Sequence, residues 1–434
     1  MKITIIIFVF LVQSVILQAQ HVFKSLNEVW EYSLSNNPEN TIYRLKIEQA
    51  RQDKKTVNSY LFPKAAAGFS GQKSFEIPET PVPGELIGKP GETVYMKFGQ
   101  NYSYNSGITV SKTLLDWQSM FQVKIAKLNV SLTEAQKDYY EQTLKEQVAQ
   151  VYYASLVAVE ALRITNKDKE IADSLCLIAK DRFEQGLIDG MVFNQAKINK
   201  NNVFEKFVQS EQYQVQCLYN LKLLLGLTVT DSLVLTENIS ADNQWQLISE
   251  TVSNDKYTQL YSLQSDISKI ETKRALARFT PKIDIVSYYG VQQYQNDFNL
   301  SFNSSDWKQN SYLGLSLSVP IFTGFSNKSQ YKSAKISRSI AEKKLEDETR
   351  KSAINDSILL SNYFSSVQLS EINTETFKVS GNSLELAAQK YAQGLISLDE
   401  YLKVFDDYLT MENQYFNSLS NYLINKATIE ARKK

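Results

Sequence analysis

The sequence predicts a mainly α, internally duplicated fold with a small β part, and three observations predict it. Landmarks recur in one order: Gln185-Gly186-Leu187-Ile188 returns as Gln393-Gly394-Leu395-Ile396, Pro63-Lys64 as Pro281-Lys282, and Gly107-Ile108-Thr109-Val110-Ser111 as Gly314-Leu315-Ser316-Leu317-Ser318. The offsets are 208, 218 and 207 positions, so the unit repeated is about 200 residues long. Glycine and proline are absent from 108–185, 191–225, 227–280, 325–380 and 395–434, which read as long helices. Between these stretches lie runs whose apolar period is two rather than 3.6.

In chain order, Lys2 precedes an apolar run from Ile3 to Leu17, broken by Thr4, Gln13 and Ser14, and then comes Gln18-Ala19-Gln20. This pattern reads as a secretory signal peptide over residues 1–19. The rival is an uncleaved membrane helix, but the run is shorter than the roughly 20 residues that span a bilayer. No cysteine near the site suggests a lipid anchor, and any membrane contact is expected through strands. Residues 20–240 then read as the first structural repeat and 241–434 as the second.

Each repeat opens on a short helix. Asn37-Pro38-Glu39 supplies a cap, a first-turn proline and a first-turn acid, and Asp255 supplies a cap at the corresponding point. The intervals from Pro38 to Pro63 and from Lys256 to Pro281 are both 25 residues. After each Pro-Lys come two strands, expected at about 65–75 and 100–111, then at about 281–295 and 311–320. Tyr102, Tyr104, Ile108 and Val110 alternate with small or polar residues, as do Leu313, Leu315, Leu317 and Val319. The stretch holding Pro78, Pro81, Pro83 and Pro90 reads as an exposed loop.

Helical hairpins follow, at about 117–226 and 326–432. Leu144, Val148, Val151, Ser155, Ala158 and Leu162 step by three and four, the spacing of coiled packing with small residues admitted. An ordinary amphipathic bundle is the plainer alternative, although a continuous helix over 117–184 would extend on the order of 100 Å. Gly186 suits the left-handed position that ends the first arm, Leu187 the hydrophobic contact after it, and Asp189 the next cap. In the second copy Gly394 and Leu395 repeat this, and Ser397 with Glu400 has capping-box spacing.

Ten tilted residues can cross an outer membrane as a strand. Four such strands leave two open edges with unsatisfied peptide groups in lipid, so closure requires further copies of the chain. A soluble four-stranded sheet lying on the helices fits the alternation too. The charge balance, 47 basic against 47 acidic residues, offers no electrostatic case for nucleic acid. The single histidine, His21, lies beside the expected cleavage site. Cys176 and Cys217 flank the first turn unevenly and read as free thiols. Acid pairs such as Asp406-Asp407 have no nucleophile, metal cluster or phosphate loop beside them. No catalytic, cofactor-binding or metal residues are therefore expected.

Several motifs converge: Asn37 to Glu39, Leu61-Phe62-Pro63-Lys64, Arg182-Phe183 with Gly186-Leu187, Asn194-Gln195-Ala196, Leu224-Leu225-Gly226-Leu227, Val319-Pro320-Ile321-Phe322, and Lys390-Tyr391 with Gly394. In this order and spacing, the chain resembles the TolC-like outer-membrane efflux protein family over essentially its whole mature length. The resemblance implies a homotrimer whose strands form a twelve-stranded outer-membrane β-barrel and whose long coiled hairpins form a periplasmic α-barrel. It also implies a periplasmic adaptor and an inner-membrane pump as partners, outer-membrane lipid as surroundings, and no chemistry.

By the same resemblance the tip residues Gln185, Gly186, Leu187, Ile188, Gln393, Gly394, Leu395 and Ile396 dock the adaptor, besides capping helices. Tyr391, Asp399, Glu400 and Lys403 fall at the channel constriction. Glu400 stands where an acid belongs, Lys403 where another acid would, and Ile396 where a basic residue would, so the lock differs in detail. Glu400 with Asp399 is expected to form a cation-favouring ring, against the plainer view of a solvated helix-start acid. Small-molecule efflux is the expected function. The alternatives are the outlet of a type I polypeptide secretion system and, from another class, a soluble periplasmic coiled-coil scaffold.

Overall fold

The computed structural model describes residues 20–237, 239 and 255–432, with the backbone alone at Gln20 and Asp255. The expected signal peptide lies outside the described residues, as does the side chain of the Asp255 cap. In chain order the elements are β1 (Gln20–Phe23), α1 (Leu26–Asn36), α2 (Pro38–Asn58), β2 (Lys64–Lys73), β3 (Glu79–Pro83), β4 (Thr93–Lys97), β5 (Tyr102–Leu115), α3 (Trp117–Glu184) and α4 (Gly190–Leu225). They continue with β6 (Ser232–Leu235), α5 (Asp255–Ala277), β7 (Lys282–Gln295), β8 (Lys308–Ser318), α6 (Ser326–Ala392) and α7 (Leu398–Arg432). The long arms α3 and α6 run unbroken for 68 and 67 residues.

The chain forms two compact units, and each draws on both sequence repeats. One contains residues 46–134 and 260–346. Its centre is a four-stranded antiparallel sheet in the order β2-β5-β7-β8, so the hairpin of each repeat joins the other through β5 and β7. The sheet leaves β2 and β8 as edges. The stretch holding Pro78, Pro81, Pro83 and Pro90, expected as a loop, carries the small β3–β4 hairpin, in which Pro81 and Pro83 sit where no neighbour needs their missing N–H. Helix packing in this unit uses small side chains: Ala126, Ala275, Ala277, Ser265, Ser268 and Thr272 are buried. Thr272 Oγ1 donates to the Ala334 carbonyl at 3.2 Å, binding α5 to α6.

The other unit contains residues up to Leu45, 135–259 and 347–434 where described. Its helices bury three apolar clusters in succession. The first gathers Val29 and Trp30 of α1 with Leu144, Val148 and Tyr152 of α3, Leu221 and Leu225 of α4, and Ala427 of α7. Of the expected seam, Leu144, Val148, Ser155 and Ala158 are buried and Val151 and Leu162 half-buried. The Asn37 cap forms as expected: its Oδ1 accepts from the Glu39 N–H at 2.9 Å, while its Nδ2 donates to the Leu224 carbonyl at 2.9 Å. A short parallel pair, β1 with β6, also closes this unit. Arg432 near the end of α7 reaches Glu146 of α3 at 2.9 Å and Asp356 of α6 at 2.8 Å.

Candidate functional site

Two features concentrate what this chain offers to other molecules: the paired hairpin tips of the helical unit and the two-faced sheet of the other. At the first tip Gly186 takes φ +69°, and its N–H and that of Leu187 return to the carbonyls of Phe183 and Arg182, both at 2.9 Å. A Cβ at Gly186 would meet nothing within 4 Å, so glycine is needed there for its left-handed backbone alone. Asp189 then caps α4 by accepting from Met191 N at 2.9 Å and Val192 N at 3.0 Å.

The second tip repeats the turn with Gly394 at φ +71°, Gly394 N to Tyr391 O at 3.0 Å and Leu395 N to Lys390 O at 2.9 Å. Here the cap is the reciprocal pair expected from spacing. Ser397 N donates to Glu400 Oε2 at 3.0 Å, and Glu400 N donates to Ser397 Oγ at 3.2 Å.

One expectation needs correcting. The hydrophobic contact after each turn is made not by Leu187 or Leu395 but by their successors. Ile188 and Ile396 pack against the buried cluster of Leu175, Ala179, Tyr391, Leu398, Leu402 and Phe405, whereas Leu187 and Leu395 are 66% and 67% exposed. The backbone reversal turns the residue directly after glycine outward and the next one inward. Gln185 and Gln393 are also exposed.

Both tips contribute to that one cluster, so they lie side by side. The Arg182 guanidinium of the first lies 4.8 Å from the centre of the Tyr391 ring of the second. Of the four residues expected at a constriction, Tyr391 is buried in this cluster, and burial raises its phenol pKa against the opposing pull of Arg182. Asp399, Glu400 and Lys403 are exposed. The tips thus present leucines and acids outward while Tyr391 works inside.

Sequence reading missed a buried acid pair higher in the same unit. Asp168 of α3 and Glu412 of α7 are 1% and 6% exposed and lie beside each other. Burial, reinforced by Asp168 beside it, pushes Glu412 up to about 9; burial also raises Asp168. Burial thus favours the protonated form of Glu412 beside Asp168. A signal was present, because Leu402, Phe405, Leu409, Glu412, Tyr415 and Leu419 step along one seam, and an acid there stands in a core position.

The sheet separates its chemistry by face. On one side, register brings Ala65, Val110, Ser287 and Leu313 into one row and Ala67, Ile108, Tyr289 and Ser311 into the next, with Ile285 and Leu315 beyond. Ile108, Tyr289, Leu313, Leu315 and Leu317 are at least half exposed there. The opposite side carries Ser70, Asn105 and Gln292 in one row, Gly68, Gly107, Gly290 and Asn310 in another, and Ala66, Thr109, Tyr288 and Tyr312 in a third. An exposed apolar band backed by a polar face suits lipid on one side and water on the other. Among the described residues no helix is long and apolar enough to cross a membrane, and no group of three or more His, Cys, Asp or Glu is placed to hold a metal. Cys176 and Cys217 are free thiols, the first half-buried and the second buried.

Comparison with known proteins gives a consistent result. The sequence model of the family described as outer membrane efflux protein matches residues 31–227 and 264–431. Outer membrane protein TolC of Escherichia coli (strain K12) is 19% identical over 359 residues, covering 77% of this chain and 73% of that protein. Among solved structures, the CmeC outer membrane channel of Campylobacter jejuni superposes with a TM-score of 0.77 at 16% identity, over 94% of this chain and 85% of its own. The open state of the MtrE outer membrane channel of Neisseria gonorrhoeae gives 0.76 at 16% identity, over 94% and 88%. At such identities the structural likeness is one of fold.

Proposed function

The chain belongs to the outer membrane efflux protein family, and from that premise we propose that it is the outer-membrane duct of a tripartite export system. In this reading it receives small molecules from an inner-membrane pump through a periplasmic adaptor and releases them outside the cell. The observation that carries the proposal is the sheet: four strands, one exposed apolar face, one polar face, and edges at β2 and β8 that are unpaired among the described residues. In hydrocarbon each unpaired peptide group costs several kcal/mol, so the sheet must continue into other copies. Three copies supply twelve strands, enough for a closed barrel with a polar lumen.

The helical unit likewise supports further copies. Ile354, Ile358, Leu369, Ile372, Val379 and Leu386 of α6 are exposed in the single chain at steps of three, four, seven and eleven. That is a coiled seam awaiting a neighbouring helix. The outward leucines of the two tips are the adaptor contacts of this reading, and Asp399 and Glu400, repeated by the trimer, give the entrance an acidic ring.

Detergent-solubilised mass together with planar-bilayer recording tests the proposal. A trimer forming discrete cation-preferring channels, with the preference reduced in Glu400→Gln, is the expected result. A detergent-independent soluble monomer without conductance would make the chain a periplasmic scaffold instead. A conducting trimer whose selectivity ignores Glu400→Gln would leave the duct and remove the ring.

A further inference from the structure

Three register partners on the polar face of the sheet are all glycine: Gly68 of β2, Gly107 of β5 and Gly290 of β7. Glycine weakens a strand, because it loses more freedom on folding and offers no side chain to pack, so three in one row call for compensation. The compensation is Tyr288. Its own register partners are Thr109 and Tyr312, one row away, yet its ring leans off that row and lies over the glycine pair. A Cβ built on Gly107 would sit 2.6 Å from the Tyr288 hydroxyl oxygen, 2.7 Å from Cζ and 2.8 Å from Cε2. Gly290 is buried beneath the same ring. Tyr312 stacks beside it, ring centres 5.5 Å apart and planes inclined by 24°.

A strand side chain ordinarily stands perpendicular to its sheet. A tyrosine standing upright here would enter the lumen, where its neighbours are Ser70, Asn105, Thr109 and Asn310. Lying down, it leaves a trough of ≈ 380 Å³ above the sheet that runs on to the bare Gly68 and is lined by no charged side chain. We propose that Gly107 and Gly290 form a seat that holds Tyr288 flush with the barrel wall, so that this glycine pair and its tyrosine determine the clearance and the uncharged lining of the duct at this level. The inference rests on the duct reading above, since only a closed barrel gives this face a lumen.

Gly107→Ala is the discriminating change. The three atoms nearest its methyl group all belong to the Tyr288 side chain, whereas at Gly290 the Ser106 carbonyl oxygen is among the nearest three. The ring must rise and the strands need not part. The readout is the largest polyethylene glycol that enters the channel in planar bilayers, with graded polymers added on the barrel side so that entry there is read separately from any narrowing elsewhere.

Gly107→Ala is expected to lower the size limit, Gly107→Ala with Tyr288→Ala to restore it, and Tyr288→Ala alone to leave it at the parental value. A purely stabilising role for the packing would shift thermal stability and leave the size limit unmoved, and that result overturns the inference. Should Gly107→Ala fail to insert, Tyr288→Ala alone decides: a raised limit means the ring already projects, and the seat is refuted. A parental protein without conductance removes the duct reading and this inference with it.

Discussion

Glu412 faces inward where its neighbours at Leu409 and Tyr415 supply apolar surface, and its proton makes that tolerable. Its folded pKa of about 9 lies above the value of about 4.3 for an exposed glutamate. Through the interval between them the folded chain binds a proton that the unfolded chain has lost. The stability contributed is therefore complete below the unfolded value and lost as pH rises toward the folded one, by about 1.4 kcal/mol per pH unit for one proton. Glu412→Gln keeps a donor beside Asp168 and removes the titration. The expected outcome is equal thermal stability near pH 4.5 and a variant that gains on its parent as pH rises to 8.5, read by thermal unfolding in detergent. A difference that does not change with pH would mean that Glu412 is ionised in the fold. The seam that holds Glu412 could be read from its own helix. Its partner Asp168 lies 244 positions away, and no local pattern connects the two.

Among the elements, α7 is held at its far end by an ion triad rather than by apolar packing alone. Arg432 has 15% side-chain exposure, Glu146 17% and Asp356 12%, so one cation serves two largely buried carboxylates on α3 and α6. Removing the cation takes from both acids the charge that Arg432 supplies. Arg432→Leu is expected to cost about 3–5 kcal/mol in denaturant unfolding, and the triple change with Glu146→Leu and Asp356→Leu to recover most of it. Equal losses in the single and triple variants would show that shape, not charge, is what Arg432 supplies. At this scale legibility followed sequence distance. The long arms, both glycine turns, the Asn37 and Asp189 caps and the Ser397–Glu400 box all depend on neighbours within a few residues. The β1–β6 pair joins four-residue strands whose partners lie 212 positions apart, and strands that short carry no period. The β3–β4 hairpin was obscured because its prolines read as loop.

For the whole molecule, a trimer would present six tips of two kinds to one kind of partner. The copies share a glycine turn and an outward leucine, and they differ in the residues that start the returning helix: Asp189-Gly190 in one, Ser397-Leu398-Asp399-Glu400 in the other. A partner that binds both must use the exposed side chains they share, Gln185 with Gln393 and Leu187 with Leu395, and of these the leucines, each about two-thirds exposed, offer the apolar surface. Exposure also makes these positions safe to change, since substitutions away from the core stay within about 0.5 kcal/mol. The isoleucines beside them are different, because Ile188 and Ile396 pack on the shared cluster. Leu187→Asp with Leu395→Asp is therefore expected to abolish cross-linking to the periplasmic adaptor while trimer yield and melting temperature hold. Ile188→Asp with Ile396→Asp should lower the melting temperature as well. Cross-linking that survives the leucine pair would transfer the docking role from the leucines to the shared glutamines or to the helix flanks, and on the flanks the two copies no longer share an exposed side chain and the partner would have to distinguish them.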